Sequence, residues 1–468
     1  MEKSWRDRKR RYPTGRPLAG ACTTPSCSDW CAPGGKLALR NFARPRNEMQ
    51  RPSNSETVEV IPNFLSWVCS DVPPAPDPTP GAEGLIFSTD DDLVYEPYFY
   101  DFGPLNLSLI TIYCRDLQRR IAVAEKLGRR IIHYCRPQHN TRANSVLLLC
   151  CWRVICENIS PDEAIAPFRR IHPSLLPYRD ASMNTSCFKL TILHCLQGLS
   201  KAIKLRWYDV RTFDVEEYLR YERVENGDLN WIVPGKFLAF SGPTDRPLTY
   251  ADGVKSNVPE TYRQYFKKMN VKTVIRLNNK VYNASQFTNM GIAHYDMYFT
   301  DGANPPPPIA SRFMKVCEER PGAIAVHCKA GLGRTGTLIG LYIMKHYGLT
   351  YEETIAWLRI TRPGSVIAAQ QLYLQAQEKI MWQAGNVSRA QKSLSDLNLT
   401  SPIHVSPPMS RARTGSSRSS VDSLSPTGHQ SGSFKDKGSK TSNPPSPTLS
   451  KPKSTSLFRN MLSRSTGR

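Results

Sequence analysis

The 468-residue sequence lacks the features that would place it in a membrane or on a secretory route. It has no run of about 18 consecutive apolar residues, the length that a helix needs to cross a bilayer. Its longest apolar segment, Ser145–Cys156, is shorter and predicts a buried helix. The sequence starts with a strongly charged segment that no apolar stretch follows, so we expect no secretory signal.

Cysteine is not arranged in a way that suggests disulfide bonds or zinc. The chain has 13 cysteines, an odd number, and most lie inside apolar segments, as small buried thiols do in a reducing compartment. Cys22, Cys27 and Cys31 are close together, but no histidine or fourth thiol stands nearby at zinc-ligand spacing. The sequence therefore predicts no metal site.

Acidic residues are scarce near both ends of the chain. Residues 1–57 and 385–468 are rich in Arg, Lys, Ser and Pro, and together they carry most of the formal net charge of +22. This composition predicts disordered basic tails. Such tails can bind acidic partners, nucleic acid or anionic membranes in a regulatory way, or can simply be solvated. We expect no nucleic acid to be required for function.

The region between the tails divides into two units with the same order of parts. In residues 58–205 and in residues 206–384, a strand ends near a cysteine and leads into a loop, a long apolar helix and a helix that opens with a capping box. The order predicts a duplicated α/β domain, with residues 206–230 as the linker. Strand-loop-helix order is also common in unrelated α/β proteins, which leaves the duplication open.

The two cysteines that end these strands lead into different loops. After Cys135 the loop has no glycine, and the nearest suitable arginine, Arg142, stands at the wrong spacing. After Cys328, Gly331 and Gly333 allow backbone N–H groups to converge on an anion ahead of a helix. We therefore expect the first copy to be inactive and the second to bind phosphate.

The segment around Cys328 has the composition that phosphoryl transfer requires. Arg334, six residues further on, is placed to grip two phosphate oxygens. The helix dipole, the N–H groups and this arginine all favour the thiolate, so Cys328 is the predicted nucleophile of a cysteinyl-phosphate intermediate. Thr335 is predicted to donate to the sulfur and ease its departure. His327 is predicted to hold the loop through backbone hydrogen bonds.

Val326–Gly336 resembles, at every position, the signature H-C-x5-R-[ST]-G of protein tyrosine and dual-specificity phosphatases. The alternative is a buried structural cysteine beside a chance arginine. The remaining positions of the signature form the predicted phosphate-binding loop with His327: they are Lys329, Ala330, Gly331, Leu332 and Gly333.

The resemblance also implies an upstream aspartate that protonates the leaving oxygen. Asp301, ahead of a Gly/Asn/Pro-rich loop, is the predicted general acid, and Asp296 is its rival. Gln370 and Gln371 are predicted to orient the water of the second step. Because a cysteine, an arginine and an aspartate complete this chemistry, no metal or organic cofactor is predicted.

Longer stretches resemble the cell-division-cycle 14 phosphatases, the mitotic-exit family, over residues 58–384. The resemblance implies two tandem dual-specificity-phosphatase-like domains, each a sheet flanked by helices, of which only the second is catalytic. It implies hydrolysis of phosphotyrosine and of phosphoserine and phosphothreonine, with a preference for Ser-Pro sites made by cyclin-dependent kinases. The expected location is the nucleus, with the centrosome, spindle and cytoplasm as further sites. The stretches are Phe102–Leu107, Glu225–Trp231, Ala323–Leu338, Tyr342–Tyr347 and Arg362–Ile367.

The family reads a basic residue downstream of the phosphoserine with an acidic groove at the interdomain linker. The matching candidates here are Glu222, Glu225 and Asp228, and interleaved arginines leave an ordinary charged helix as the alternative. Leu219 stands where a further acid is expected, so the preference for a basic residue is expected to be weaker.

Two more departures from the family pattern lie near the catalytic residues. The Pro305–Pro308 run follows Asp301 and is expected to stiffen the loop that must close. Ala368 and Ala369 stand where Gly-Pro is expected.

Two other functions remain open. A phosphoinositide phosphatase would carry a second lysine where Leu332 stands. A phosphopeptide-binding scaffold would have lost one of Cys328, Arg334 and Asp301, and all three are present.

Overall fold

The computed structural model describes most of the region between the predicted tails, with side chains up to residue 391. The described residues are 55–75, 84–183, 185–249, 253 and 255–399. Most of both tails, and the cysteine cluster Cys22, Cys27 and Cys31, lie outside the described residues, so the predictions made for them stay predictions.

The first domain has a four-stranded sheet and four helices. The strands are β1 (Glu56–Ile61), β2 (Leu65–Cys69), β3 (Leu85–Ser88) and β4 (Ile131–Cys135). The helices are α1 (Leu107–Leu127), α2 (His139–Cys156), α3 (Pro161–Ile165) and α4 (Ile192–Lys204). Helix α3 is the capping-box helix that the sequence predicts for this unit: the Ser160 hydroxyl and the Glu163 carboxylate cap each other's backbone, but the helix lasts only five residues.

The second domain has a five-stranded sheet. The strands are β5 (Leu229–Val233), β6 (Phe237–Phe240), β7 (Val271–Arg276), β8 (Ala293–Asp296) and β9 (Ala323–His327). The helices are α5 (Val215–Glu222), α6 (Arg263–Lys268), α7 (Ser285–Thr288), α8 (Pro307–Glu319), α9 (Gly333–Tyr347), α10 (Tyr351–Thr361) and α11 (Ala369–Leu399).

The two sheets have the same topology, which supports the predicted duplication. Their strand orders are β1-β2-β4-β3 and β5-β6-β9-β7-β8, so the second sheet adds only β8 at its edge. In each sheet an antiparallel hairpin leads into parallel strands, and the strand that carries the cysteine lies between two parallel neighbours. The helix after that strand, α2 or α9, is followed by a helix with a capping box, α3 or α10.

The two domains share one continuous hydrophobic core. Helix α4 of the first domain packs closely on α10 of the second domain. The approach is close enough that a Cβ at Gly198 would lie 2.6 Å from the carbonyl oxygen of Glu353. The rings of Trp207 and Trp357 lie 5.9 Å apart between their centroids at the same interface. Packing of this density fixes the relative position of the two domains.

Helix α11 crosses the predicted end of the second domain at residue 384 and continues to Leu399. Residues 385 and 389, past that boundary, contact α9. A Cβ at Gly385 would overlap the carbonyl oxygen of Lys345, and the Arg389 guanidinium donates to the same oxygen at 3.3 Å. The polar composition of the residues after 384 gives no sign of this contact in the sequence.

The first copy has no catalytic arrangement at the matching place. The carboxylate of Asp90 accepts the backbone N–H of Arg136 at 2.7 Å, so a carboxylate of the protein takes the first amide of the loop. Arg142 forms an ion pair with Glu56, with 2.7 Å between Nη2 and Oε2. The hydrogen bond that the Cys135 thiol donates to Cys69, together with burial, raises the pKa of Cys135 and keeps it a thiol. These contacts agree with the prediction of an inactive copy.

Among the described residues, no helix combines the length and the apolar character required to cross a membrane.

Candidate active site

Cys328 lies directly after β9, the central strand of the second sheet. Its side chain is buried, and the loop after it turns back over the end of the sheet. The carbonyl of Lys329, whose side chain is exposed, accepts the Gly242 N–H at 3.0 Å and the Ser241 hydroxyl at 3.3 Å. The start of the loop is thereby tied to the residues after β6.

Glycine is required at two positions of this loop. Gly331 has a φ of +69°, and a Cβ there would overlap the carbonyl oxygen of Phe240. A Cβ at Gly333 would lie 2.8 Å from the side-chain oxygen of Gln370. Helix α9 begins at Gly333, so the loop leads into a helix N-terminus, where free N–H groups and the helix dipole favour an anion.

Arg334 is held in place by the neighbouring strand ends. Its Nη1 donates to the carbonyl oxygens of Leu277 at 3.2 Å and Phe299 at 2.9 Å. Its Nη2 lies 3.0 Å from Oδ1 of Asp301. Its buried Nε has no hydrogen-bond partner among the described residues. The Nε and Nη2 edge has the geometry that a bidentate oxyanion requires, and the predicted role in binding phosphate stays a prediction.

The two candidate acids have different surroundings. Asp301 contacts Arg334 and has a side chain that is 67% exposed. Asp296 instead pairs with the buried Arg276, whose Nε lies 2.6 Å from Oδ1. Although burial opposes it, this arginine lowers the pKa of Asp296. Asp296 is therefore a structural carboxylate, and Asp301 is the better placed general acid.

The Pro305–Pro308 run ends the Asp301 loop. Helix α8 begins at Pro307, and prolines are well suited to the first turn of a helix, whose N–H groups have no intrahelical acceptor. The run therefore anchors the far end of the loop, and Gly302, with a φ of +75°, remains next to Asp301.

His327 holds the loop through a buried network that the sequence showed only in part. Its Nδ1 lies 3.0 Å from the carbonyl oxygen of Cys328, and its Nε2 lies 2.7 Å from the hydroxyl of Tyr282. The same hydroxyl lies 2.8 Å from Nε2 of His294. Burial lowers the pKa of His327 to about 3, so the ring is neutral. The neutral ring donates from Nδ1 to the carbonyl and accepts the tyrosine proton at Nε2, which excludes it as a base at neutral pH.

Arg362 is a support of the phosphate-binding loop that sequence analysis missed. It is fully buried, and its Nε and Nη2 donate to the carbonyls of Gly331 and Ala330, both at 2.9 Å. Its Nη1 donates to Asn230 Oδ1 at 2.6 Å, and Nη2 lies 3.1 Å from Oδ1 of Asp228. By holding these carbonyls from behind, Arg362 directs the amides of the loop toward its other side.

The three candidates for the acidic groove have different surroundings, and their role in binding a basic residue stays a prediction. Asp228 has no exposed surface and serves as the counterion of Arg362. Glu222 is 5% exposed and accepts a hydrogen bond from Asn106 Nδ2 at 3.3 Å. Glu225 is exposed on the linker, and its role stays a prediction.

Gln370 lies at the active site as predicted. It is fully buried against Gly333, where its Oε1 accepts the N–H of Ile367 at 3.2 Å. Its Nε2 donates to the carbonyl of Ala303 at 3.2 Å, in the loop that carries Asp301. Gln370 therefore connects the phosphate-binding loop with the acid loop.

Gln371 makes different contacts, and its predicted catalytic role stays a prediction. Its Oε1 accepts from Arg359 Nη2 at 2.7 Å, and its Nε2 donates to the carbonyl of Ala368 at 3.2 Å. Consecutive residues of a helix are about 100° apart around its axis, so the two glutamines face different directions.

The remaining predicted positions contribute to the walls of the site. Thr335 is fully buried, and its hydroxyl has no hydrogen-bond partner in the part of the chain that the structure describes, so its donation to sulfur stays a prediction. Leu332 packs with Val224, Ala330 and, from the first domain, Tyr98. The first domain therefore forms part of the rim of the site.

Two family models match separate parts of the chain. The dual specificity protein phosphatase N-terminal half matches residues 59–202, and the dual specificity phosphatase catalytic domain matches residues 255–377. The second match contains the Cys328 loop, Arg334 and Asp301, while the first covers the copy that is predicted to be inactive.

Curated relatives match across both domains. Dual specificity protein phosphatase CDC14A of Mus musculus is 48% identical over 305 residues, which cover 65% of this chain and 50% of the relative. CDC14C of Homo sapiens is 43% identical over 303 residues, which cover 65% of this chain and 68% of the relative. The CDC14 homolog of Schizosaccharomyces pombe is 38% identical over 327 residues, covering 68% of this chain and 60% of the relative.

The fold and the site define a chain with two dual-specificity-phosphatase domains. It belongs to the CDC14 family of dual-specificity protein phosphatases. The matched region spans about half the length of the CDC14A relatives.

Proposed function

We propose that this chain is a dual-specificity protein phosphatase that uses Cys328 as its nucleophile. The observation that carries the proposal is the meeting of Arg334 and Asp301 at the loop of Cys328, with 3.0 Å between Nη2 and Oδ1. Bound phosphate would replace Asp301 as the partner of Arg334. The Asp301 side chain would then be free to turn toward the leaving oxygen. Its high exposure leaves it room for this movement.

In the first step, the Cys328 thiolate attacks phosphorus and the bond to the substrate oxygen breaks. Asp301 gives its proton to that oxygen, and a cysteinyl-phosphate and a free hydroxyl result. Arg334 and the loop amides bind the three equatorial oxygens of the transition state. In the second step, Gln370 orients water, Asp301 takes its proton, and the thiolate leaves as inorganic phosphate forms.

The proposed substrates are proteins phosphorylated on Ser or Thr followed by Pro, the products of cyclin-dependent kinases, together with phosphotyrosine. Similarity to CDC14 proteins across both domains supports this substrate class and a role in mitotic exit. The proposed location is the nucleus, with the centrosome, spindle and cytoplasm as further sites. Glu225 remains the candidate for contact with a downstream basic residue.

A protein substrate is favoured over a phosphoinositide by the position of Leu332. This residue is 8% exposed and packs against Tyr98 and Val224, so the loop presents an apolar wall where a lipid phosphatase would need a second cation. A loop with a single arginine suits one phosphate group.

A panel of matched substrates tests the proposal. Phosphate release from phospho-Ser-Pro peptides with and without a downstream Lys, from phospho-Ser without Pro, from phosphotyrosine and from a phosphoinositide would be compared, with Cys328→Ser as control. We expect phospho-Ser-Pro to be preferred and Cys328→Ser to abolish release. A preference for the phosphoinositide would refute the substrate class, and binding without turnover would refute the enzyme.

A further inference from the structure

The first domain reaches the catalytic machinery through Ala368, two residues before Gln370. The N–H of Ala368 donates to Oδ2 of Asp180 at 2.8 Å, and its carbonyl accepts from Sγ of Cys187 at 3.2 Å. Asp180 and Cys187 both lie in the first domain, between α3 and α4. Both backbone polar groups of Ala368 are therefore bonded to the domain that has no catalytic residue.

Ala368 depends on outside support because its backbone conformation is unfavourable. Its φ of +49° lies in the left-handed region, where a residue with a Cβ is less stable by about 1–2 kcal/mol. Val366, two residues earlier, has a φ of +60° and is β-branched, which makes it a stronger outlier. Such conformations persist only where the surroundings hold them, and they cluster at functional sites.

Asp180 supports this turn from a buried position. Its side chain is fully buried in the neighbourhood of Arg359, which donates to the carbonyls of Ser365 at 3.1 Å and Val366 at 2.9 Å. Burial opposes its charge, but hydrogen bonds, first among them that from Ala368, and the charge of Arg359 lower the pKa of Asp180. The turn is thus held by an arginine from the second domain and a carboxylate from the first.

The turn determines where Gln370 lies. The side-chain oxygen of Gln370 accepts the N–H of Ile367, the residue between the two strained positions. If Ala368 relaxed to negative φ, Ile367 and Gln370 would move together, away from Gly333 and from the carbonyl of Ala303.

We propose that Asp180 is a positioning residue for hydrolysis of the cysteinyl-phosphate, acting through Ala368 and Gln370. The inference rests on the proposed phosphatase function. It gives the inactive domain a catalytic task, which is to hold the water-orienting glutamine, in addition to shaping the rim of the site.

Rapid-quench kinetics of the full chain on p-nitrophenyl phosphate separate the two steps. The variants are Asp180→Ala, which removes the acceptor, and Asp180→Asn, which keeps an acceptor oxygen. The matched control is Asp90→Ala, which removes another first-domain carboxylate with a buried side chain, one that accepts the backbone N–H of Arg136 instead of that of Ala368.

For Asp180→Ala we expect the first-turnover rate to stay within about twofold and the steady-state rate to fall about 10- to 100-fold, because misplacement of a catalytic group acts on its own step. Phosphocysteine should then accumulate during turnover. Asp180→Asn should retain the steady-state rate within about threefold, and Asp90→Ala should leave the ratio of the two rates unchanged.

An equal fall of both rates in Asp180→Ala, or no change in either, would overturn the inference while leaving the phosphatase function intact. A wild-type chain without turnover would refute the function itself and the inference with it. If Asp180→Ala does not fold, hydrogen exchange of the wild-type chain decides: the Ala368 amide must be protected, and exchange at the rate of an exposed loop would overturn the proposal.

Discussion

Asp228→Asn tests whether this carboxylate is a structural counterion or a substrate-binding acid. Asp228 and Arg362 are both fully buried, with 3.1 Å between Oδ1 and Nη2. Removal of one charge from a buried ion pair leaves the other uncompensated, which destabilises a fold by about 3–5 kcal/mol. Asparagine keeps the size of the side chain and tolerates the φ of +49° at this position, so the loss of charge is isolated.

The assay is urea unfolding of the full chain, followed by kcat/KM on peptides with and without a downstream lysine. We expect the free energy of unfolding to fall by about 3 kcal/mol and kcat/KM to fall for all substrates alike, because Arg362 holds the loop. Glu225→Gln is the matched control, since it makes the same charge change on the exposed linker. Unchanged stability with a loss confined to lysine-containing peptides would refute the reasoning.

Three further changes have clear expected results. Asp301→Asn should lower kcat on phosphoserine peptides by about 10²- to 10⁴-fold, and a steady-state rate equal to wild type would contradict its role as acid. Ala368→Gly should raise the free energy of unfolding by about 0.5–1 kcal/mol, measured in urea, because glycine accepts a positive φ without strain. Burial lowers the pKa of His133 and His327 to about 3 and that of His294 to about 4. Because the unfolded imidazoles titrate near 6.5, stability should be lost as pH falls below that value, by about 1.4 kcal/mol per pH unit for each histidine. Equal urea midpoints at pH 7.5 and 5.5 would contradict this.

Much of the catalytic site could be predicted because it is local in sequence. Cys328, Gly331, Gly333 and Arg334 occupy one strand, loop and helix start, so the covalent path alone places them together. The role of His327 as a support of the loop was predicted for the same reason, since its acceptor is the next residue.

The supports of the site could not be predicted, because they are distant in sequence. Arg362 lies 31 residues from the carbonyl of Gly331 that it holds, and Asp180 lies 188 residues from Ala368. The folding of the second domain brings the first pair together, and the packing of the two domains brings the second pair together. A single charged residue such as Asp228 gives no sequence signal of burial, because charged residues are mostly exposed.

The most direct test of the central claim is to locate the phosphate during turnover. The full chain would be mixed with a phospho-Ser-Pro peptide, quenched in acid within the first turnover, and analysed by peptide mass spectrometry. The account predicts phosphate on the peptide that contains Cys328 and its absence in Cys328→Ser. Full turnover without phosphate on Cys328, or turnover that survives Cys328→Ser, would contradict it.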